Sequence, residues 1–298
     1  MILLSMKVYY MEVLVTGASG NLGRRVVDKL RHNHGVHALD KTTVEQGLEV
    51  TTHQLDIVED IDELERLIDD IRPSAIIHLA AIVGGICEQN PGEAHHLNTD
   101  VTVQLAHLAR AHKVGHFVFA SSAAVYNQRE LSPTSENENI DPRGIYGMSK
   151  YKAEQGIGAI ALRSSYTQFT TLRIFNAYGH GFQKSLVERL RTSRQQNAVG
   201  LVAWNNFYRD YIHADDIASG IESAAQYRPG VPEYTVINIA SGQTRSNAAL
   251  VREMMDLGAA PSYVRTNDDD VPDYSWADIS RAAELLDFHP NTSINLRS

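Results

Sequence analysis

Tyr146 and Lys150 lie in "IYGMSK" (145–150), four residues apart. On a helix that spacing puts two side chains one turn apart on one face. No other tyrosine in the chain has a lysine four residues later. A phenol beside an ammonium is a candidate acid/base. A free tyrosine has a pKa of about 10 and is a poor base at neutral pH. Lowering it by about three units needs roughly 4 kcal/mol of preference for the phenolate, which a nearby cation in a water-poor site can supply. Ser122 ends "HFVFASS" (116–122), 24 residues before Tyr146. Taking a hydride from an alcohol carbon requires taking its hydroxyl proton too. Tyr146 tuned by Lys150 suits that task, with Ser122 on the same oxygen.

A second set of residues suits a dinucleotide. "VTGASGNLG" places Gly17, Gly20 and Gly23 between a strand-like run and a helix-like run. Glycines let the turn form and the backbone approach a pyrophosphate, while the amides at the helix start face its charge. Asp40 ends the second strand, 17 residues beyond Gly23. A carboxylate there accepts hydrogen bonds from a ribose 2′-hydroxyl and repels a 2′-phosphate, which favours NAD. The adjacent Lys41 can reach a phosphate and keeps NADP open. No G-K-[ST] follows the loop, which argues against a P-loop nucleotidase.

These residues must be held by a frame. Apolar runs at 12–17, 36–40, 50–56, 74–80, 116–122 and 169–175 read as strands, and amphipathic segments at 21–33, 60–71, 91–112 and 145–164 read as helices. The alternation predicts an α/β fold with a doubly wound, parallel Rossmann sheet, and continuous apolar strands predict a sheet covered on both faces. The polar stretch 127–144 reads as a loop. After residue 176 the rhythm breaks. We expect an NAD-binding Rossmann domain over 11–176 and a smaller, mostly substrate-binding region over 177–298. From the latter, segments near 208–220 and 235–241 return to the first domain, and 279–288 also looks ordered.

Bulk numbers bound the partners. A net charge of −9 gives no basic footprint for nucleic acid or an anionic membrane. The single cysteine, Cys87, excludes an intrachain disulfide, reads as a buried or loop thiol, and fits a cytoplasmic protein. "MILLSMKVYY" lacks the basic start and cleavage site of a signal peptide, and no run approaches the roughly 18 apolar residues of a membrane span. No His/Cys/Asp/Glu cluster has metal-ligand spacing, so no metal is expected. The acidic run Asp268–Asp270 reads as a solvated loop.

Together these motifs resemble the extended short-chain dehydrogenases/reductases, the group of nucleotide-sugar epimerases, dehydratases and reductases. The resemblance spans about 11–290. It implies that "TGASGNLG" holds the cofactor through Gly17, Ser19, Gly20, Asn21, Leu22 and Gly23, with Asp40 and Lys41 at the ribose. "LDI" (55–57) resembles the adenine pair, Asp56 and Ile57. "HLAA" (78–81) resembles the wall beside the cofactor, Leu79, Ala80 and Ala81. Asn98 in "LNTDVT" matches the asparagine that supports the active-site helix. "SSAAVY" and "YGMSK" match the catalytic Ser122, Tyr146 and Lys150. "LRIFNAYG" (172–179) turns Phe175 to the cofactor and Asn176 to the substrate, and Arg209 in "RDYIHADDIA" matches an arginine on substrate phosphate. The implied partners are a nucleotide-sugar and a second copy, in a homodimer through the helices near 91–112 and 145–164.

Departures from the group's patterns narrow the reaction. The 4,6-dehydratases carry Asp-Glu directly after the serine, where this chain has Ala123 and Ala124. "AIVGGI" (81–86) resembles the substrate loop of enzymes that epimerise C3 and C5, yet their cysteine two residues after the serine is also Ala124 here. Hydride chemistry at C4 remains. Asp40 favours an NAD-retaining C4 epimerase. The short segment 180–208, with "GFQKSLVERL", and the "GGI" loop favour a 4-ketoreductase. A non-catalytic dinucleotide sensor would usually lack the Tyr/Lys pair. Asn267 stands where UDP-sugar epimerases have a diphosphate arginine, and Arg265 is two residues away.

Overall fold

The computed structural model describes residues 10–44, 50–229, 233–266 and 272–296. Asn267 and the run Asp268–Asp270 lie outside the described residues, as does most of the N-terminal "MILLSMKVYY". In chain order the elements begin β1 (Glu12–Thr16), α1 (Asn21–Leu30), β2 (Gly35–Asp40), β3 (Val50–Gln54), α2 (Ile61–Ile71) and β4 (Ala75–His78). Then come α3 (Gly85–Gln89), α4 (Pro91–His95), a π-helical turn (His96–Val101), α5 (Thr102–Ala111) and β5 (His116–Ser122). A 3-10 turn (Ala123–Val125) leads towards α6 (Gly144–Ala161), β6 (Gln168–Ile174) and β7 (Asn176–Tyr178). The rest comprises α7 (Leu186–Thr192), β8 (Val199–Leu201), β9 (Tyr208–His213), α8 (Ala214–Gln226), β10 (Tyr234–Ile239), β11 (Thr244–Ser246), α9 (Asn247–Asp256), β12 (Tyr263–Arg265) and α10 (Ser280–Leu286).

Seven strands form one sheet in the order β10-β6-β5-β4-β1-β2-β3. The pairings from β3 through to β5 are parallel, with Val15 opposite Ala38 on one side and Ile77 on the other. β4 is buried at every residue, as expected of a strand covered on both faces. The strand order turns about β1 and β4, whose carboxyl ends open a crevice of the kind where such sheets bind ligands.

The chain divides into two compact units. One comprises 1–120, 152–171 and 221–235. Its core joins Leu14, Leu39 and Ile76 of the strands to Leu64 and Ile68 of α2, Leu105 of α5 and Ile157 of α6. Each such side chain contributes about 1.5–3 kcal/mol when fully buried. Asp62 and Glu63 in the first turn of α2 complement its helix dipole. Gly156 lets α6 approach α5, since a Cβ there would lie 2.4 Å from Val103 Cγ2. Lys29 and His34, on and just after α1, reach Glu222 of α8.

The other unit comprises 121–151, 172–220 and 236–298. One of its clusters packs Tyr178, Leu190, Leu201 and Tyr211 against Leu250 and Met254 of α9. A three-stranded sheet, β11-β9-β7, and a two-stranded one, β12-β8, belong here. The loop 127–144 is ordered by the C-terminal segment, through bridges of Gln128 with Tyr274 and of Thr134 with Ala277. The Gln128 amide also donates to Trp276 O at 2.6 Å and accepts from Trp276 N at 2.7 Å.

Most expected elements stand within a few residues of their sequence bounds. The helix over 91–112 differs. It holds a π-helical turn at its middle, a local widening that apolar periodicity does not register. Past residue 176, β7, α7, β8, β11, α9 and β12 have no counterpart in the sequence reading, because short strands and half-buried helices carry weak periodic signals.

Candidate active site

The first unit holds most of the residues expected at the cofactor, while Tyr146, Lys150 and Phe175 belong to the second. Gly17 has φ +72, and a Cβ on it would fall 2.6 Å from Ala80 N. A Cβ on Gly23 would fall 2.1 Å from Gly17 O. The turn after β1 therefore lies directly on the segment Leu79–Ala81, and α1 starts directly on that turn. Ser19 N–H donates to Asp40 Oδ2 at 3.1 Å, and Thr42 N–H donates to its Oδ1 at 3.1 Å. Burial alone would raise the Asp40 carboxyl, but the hydrogen bonds of Ser19 and Thr42 outweigh it and hold it below the ordinary range. Asp40 is thus ionised at neutral pH, as recognition of a ribose hydroxyl requires. Lys41 is exposed. Leu55 N–H bonds Asp40 O at 3.0 Å, which brings the half-buried Asp56 and buried Ile57 to the same edge. Asn21 and Leu22 open α1. The cradle at Gly17 and the carboxylate at Asp40 both suit a dinucleotide without a 2′-phosphate.

Asn98 is fully buried on the π-helical turn. Its Nδ2 donates to Ile82 O and its Oδ1 accepts from Ile82 N–H, both at 2.9 Å. It holds the backbone just after Leu79–Ala81. Cys87, buried as expected, donates its thiol to the same Ile82 O at 3.2 Å.

The second unit holds Ser122, Tyr146 and Lys150. Ser122 caps the 3-10 turn, its Oγ accepting from Ala124 N–H at 3.1 Å. Tyr146 and Lys150 sit on the first two turns of α6, with Lys150 Nζ 6.0 Å from the Tyr146 ring centre. Lys150 is 2% exposed, so its charge acts in a water-poor place. The two segments meet through Gly147. A Cβ there would lie 2.3 Å from Ala124 O, and Arg143 N–H bonds the same oxygen at 2.8 Å. A glycine directly after the tyrosine was the available sequence signal for this contact.

A cavity of about 260 Å³ lies in this unit. Ser122, Phe175, Asn176 and Arg209, all expected site residues, line it together with Ala123, Ala124 and Arg143. Phe175 is buried and packs on Tyr126. Asn176 Nδ2 donates to Asp210 O at 2.9 Å and to Ser275 Oγ at 3.1 Å. Arg209 stacks over the Phe207 ring at 3.7 Å and pairs with Asp273 at 2.5 Å. Arg143 pairs with the other oxygen of Asp273, also at 2.5 Å. Arg265 instead lies over the Trp204 ring at 3.9 Å. Arg143 and Asp273 were missed from sequence. The first sits in a polar loop and the second beside an acidic run, where charged residues usually face water.

A glycine turn on a doubly wound sheet, an ionised carboxylate ending β2, and a serine beside a Tyr-x-x-x-Lys helix are the features of a short-chain dehydrogenase/reductase of the extended kind. Residues 13–240 match the NAD dependent epimerase/dehydratase family, and the chain belongs to it. It is 27% identical to the UDP-glucose 4-epimerase of Yersinia pestis, over 96% of this chain and 94% of that one. Among solved structures it is 26% identical to MoeE5 in complex with UDP-glucose and NAD (TM-score 0.83; 95% of this chain, 94% of that one). It is also 26% identical to the UDP-glucose 4-epimerase of Thermotoga maritima with UDP-glucose (TM-score 0.81; 94% of each chain). Among the described residues no helix is long and apolar enough to cross a membrane.

Proposed function

We propose that this protein is an NAD-dependent epimerase acting at C4 of a UDP-sugar. The observation that carries the reading is the wall beside Ser122. Ala123 and Ala124 both line the cavity, at the positions where an elimination or a C3/C5 epimerisation would need further acid/base groups. The names of the relatives agree with hydride chemistry at C4. Bound NAD would supply a reversible hydride acceptor for C4. Tyr146 removes the proton of the 4-hydroxyl as that carbon becomes a carbonyl, and returns it after the sugar has turned over. Ser122 hydrogen-bonds the same oxygen, and the buried Lys150 ammonium favours the phenolate. Gly17, Ser19–Gly23, Asp40, Asp56–Ile57 and Leu79–Ala81 hold the cofactor. Asn176 and Arg209 hold the sugar-nucleotide.

The expected division, with cofactor binding over 11–176 and substrate binding mostly over 177–298, is part of this proposal. So are a homodimer through the helices near 91–112 and 145–164 and a cytoplasmic location, which the family resemblance and the single cysteine support. Light scattering after gel filtration reads the dimer. The reaction is tested with purified protein, its bound nucleotide identified by mass spectrometry, and UDP-glucose as substrate. UDP-galactose should form without net NADH, and Tyr146→Phe should slow turnover by about 10²–10⁴-fold. Parent-like turnover by Tyr146→Phe would sink the mechanism.

A further inference from the structure

The cavity wall near Ser122 carries two arginines that share one carboxylate. Arg143 and Arg209 both line it, and among the described residues no Asp or Glu does. Asp273 lies behind them and divides its carboxylate between them, Oδ1 to Arg143 Nη1 and Oδ2 to Arg209 Nη2, each at 2.5 Å. Two guanidiniums against one carboxylate leave one positive charge in excess, in a protein of net charge −9. Arg143 is fixed from both ends. Its backbone N–H bonds Ala124 O at 2.8 Å and its Nη2 donates to Tyr274 O at 3.2 Å. Its Nε is buried and meets no acceptor among the described residues. Burial would raise the Asp273 carboxyl, but the hydrogen bonds and charges of Arg209 and Arg143 outweigh it, so the bridge stays charged.

We propose that Arg143 is a substrate-binding residue, gripping an anionic group of the substrate beside Arg209, with Asp273 as the counter-ion that positions both guanidiniums. This rests on the nucleotide-sugar reading above. The anion is an oxyanion that a planar fork of N–H donors can hold, either the diphosphate or a carboxylate on the sugar. Arg265, committed to Trp204, is not offered to the cavity, which leaves Arg143 as the second arginine of the site.

The test uses the full-length, NAD-loaded protein and calorimetric titration with UDP, UDP-glucose and UDP-glucuronic acid. Loss of a charge-assisted hydrogen bond should weaken binding by about ten- to a hundred-fold in Arg143→Gln, while NAD affinity stays at the parent value. A loss common to all three ligands supports the proposal and assigns the diphosphate. A loss confined to UDP-glucuronic acid supports it and assigns a sugar carboxylate. Parent-like affinity for all three overturns it, and so does a parallel loss of NAD binding, which would mark Arg143 as a structural residue. A parent protein that binds none of the three would overturn the nucleotide-sugar reading itself.

Discussion

Gly147 sits beside the proposed base and decides how near α6 can come to Ser122. A methyl group on it would meet Ala124 O at 2.3 Å, a backbone atom that cannot swing aside as a side chain could. On an exposed helix, Gly→Ala stabilises by about 1 kcal/mol. Here overpacking should reverse the sign and cost about 1–3 kcal/mol. It should also move Tyr146 relative to Ser122, and displacements of about 1 Å at a reacting centre cost up to about 10²-fold. Gly147→Ala should therefore lower both the melting temperature and kcat. A variant that melts higher than the parent would show that the contact relaxes freely.

At the scale of elements, the π-helical turn matters because it buries Asn98 against the Ile82 backbone. An unbroken α-helix over 91–112, the sequence expectation, gives no reason for an asparagine at that place. Asn98→Ala removes both of its bonds to Ile82 and leaves the half-buried Ile82 N–H without this acceptor, at a cost of about 1–3 kcal/mol. Since Leu79–Ala81 lead directly into Ile82, NAD affinity should fall by roughly tenfold or more, read by fluorescence titration. Unchanged NAD affinity would make the clamp purely structural. The contrast with Tyr146 and Lys150 shows what was legible. Their pairing is set within one helix, so spacing alone reveals it. The Asn98–Ile82 contact spans 16 residues and the Arg143–Asp273 contact 130, and such meetings depend on how elements pack. Asp40 was legible although its partner Ser19 is 21 residues away, because the βαβ frame places a β2 carboxylate there in a known way.

At the scale of the molecule, Asp210 ties distant segments of the second unit together. It is fully buried on β9, next to the cavity-lining Arg209. It accepts from Ser241 N–H at 2.9 Å, Ser241 Oγ at 2.6 Å, Gly242 N–H at 3.1 Å and Ala277 N–H at 3.3 Å. Burial pushes the carboxyl up to about 6, against the pull of those donors. Between about pH 4 and 6 the native state then holds a proton that the unfolded chain does not, so stability falls as pH rises through that window. The carboxyl's contribution is complete below about pH 4 and lost above about 6. Asp210→Asn keeps one acceptor oxygen and turns an NH2 towards the donors on the other side, at about 1–3 kcal/mol for each amide left unmet. It also removes the proton uptake. The parent's advantage over Asp210→Asn in urea unfolding should therefore widen on going from pH 8 to pH 4.5, by about 2 kcal/mol. If the gap narrows instead, the four donors outweigh burial, and Asp210 stays ionised throughout that range as a fixed charge under the cavity wall.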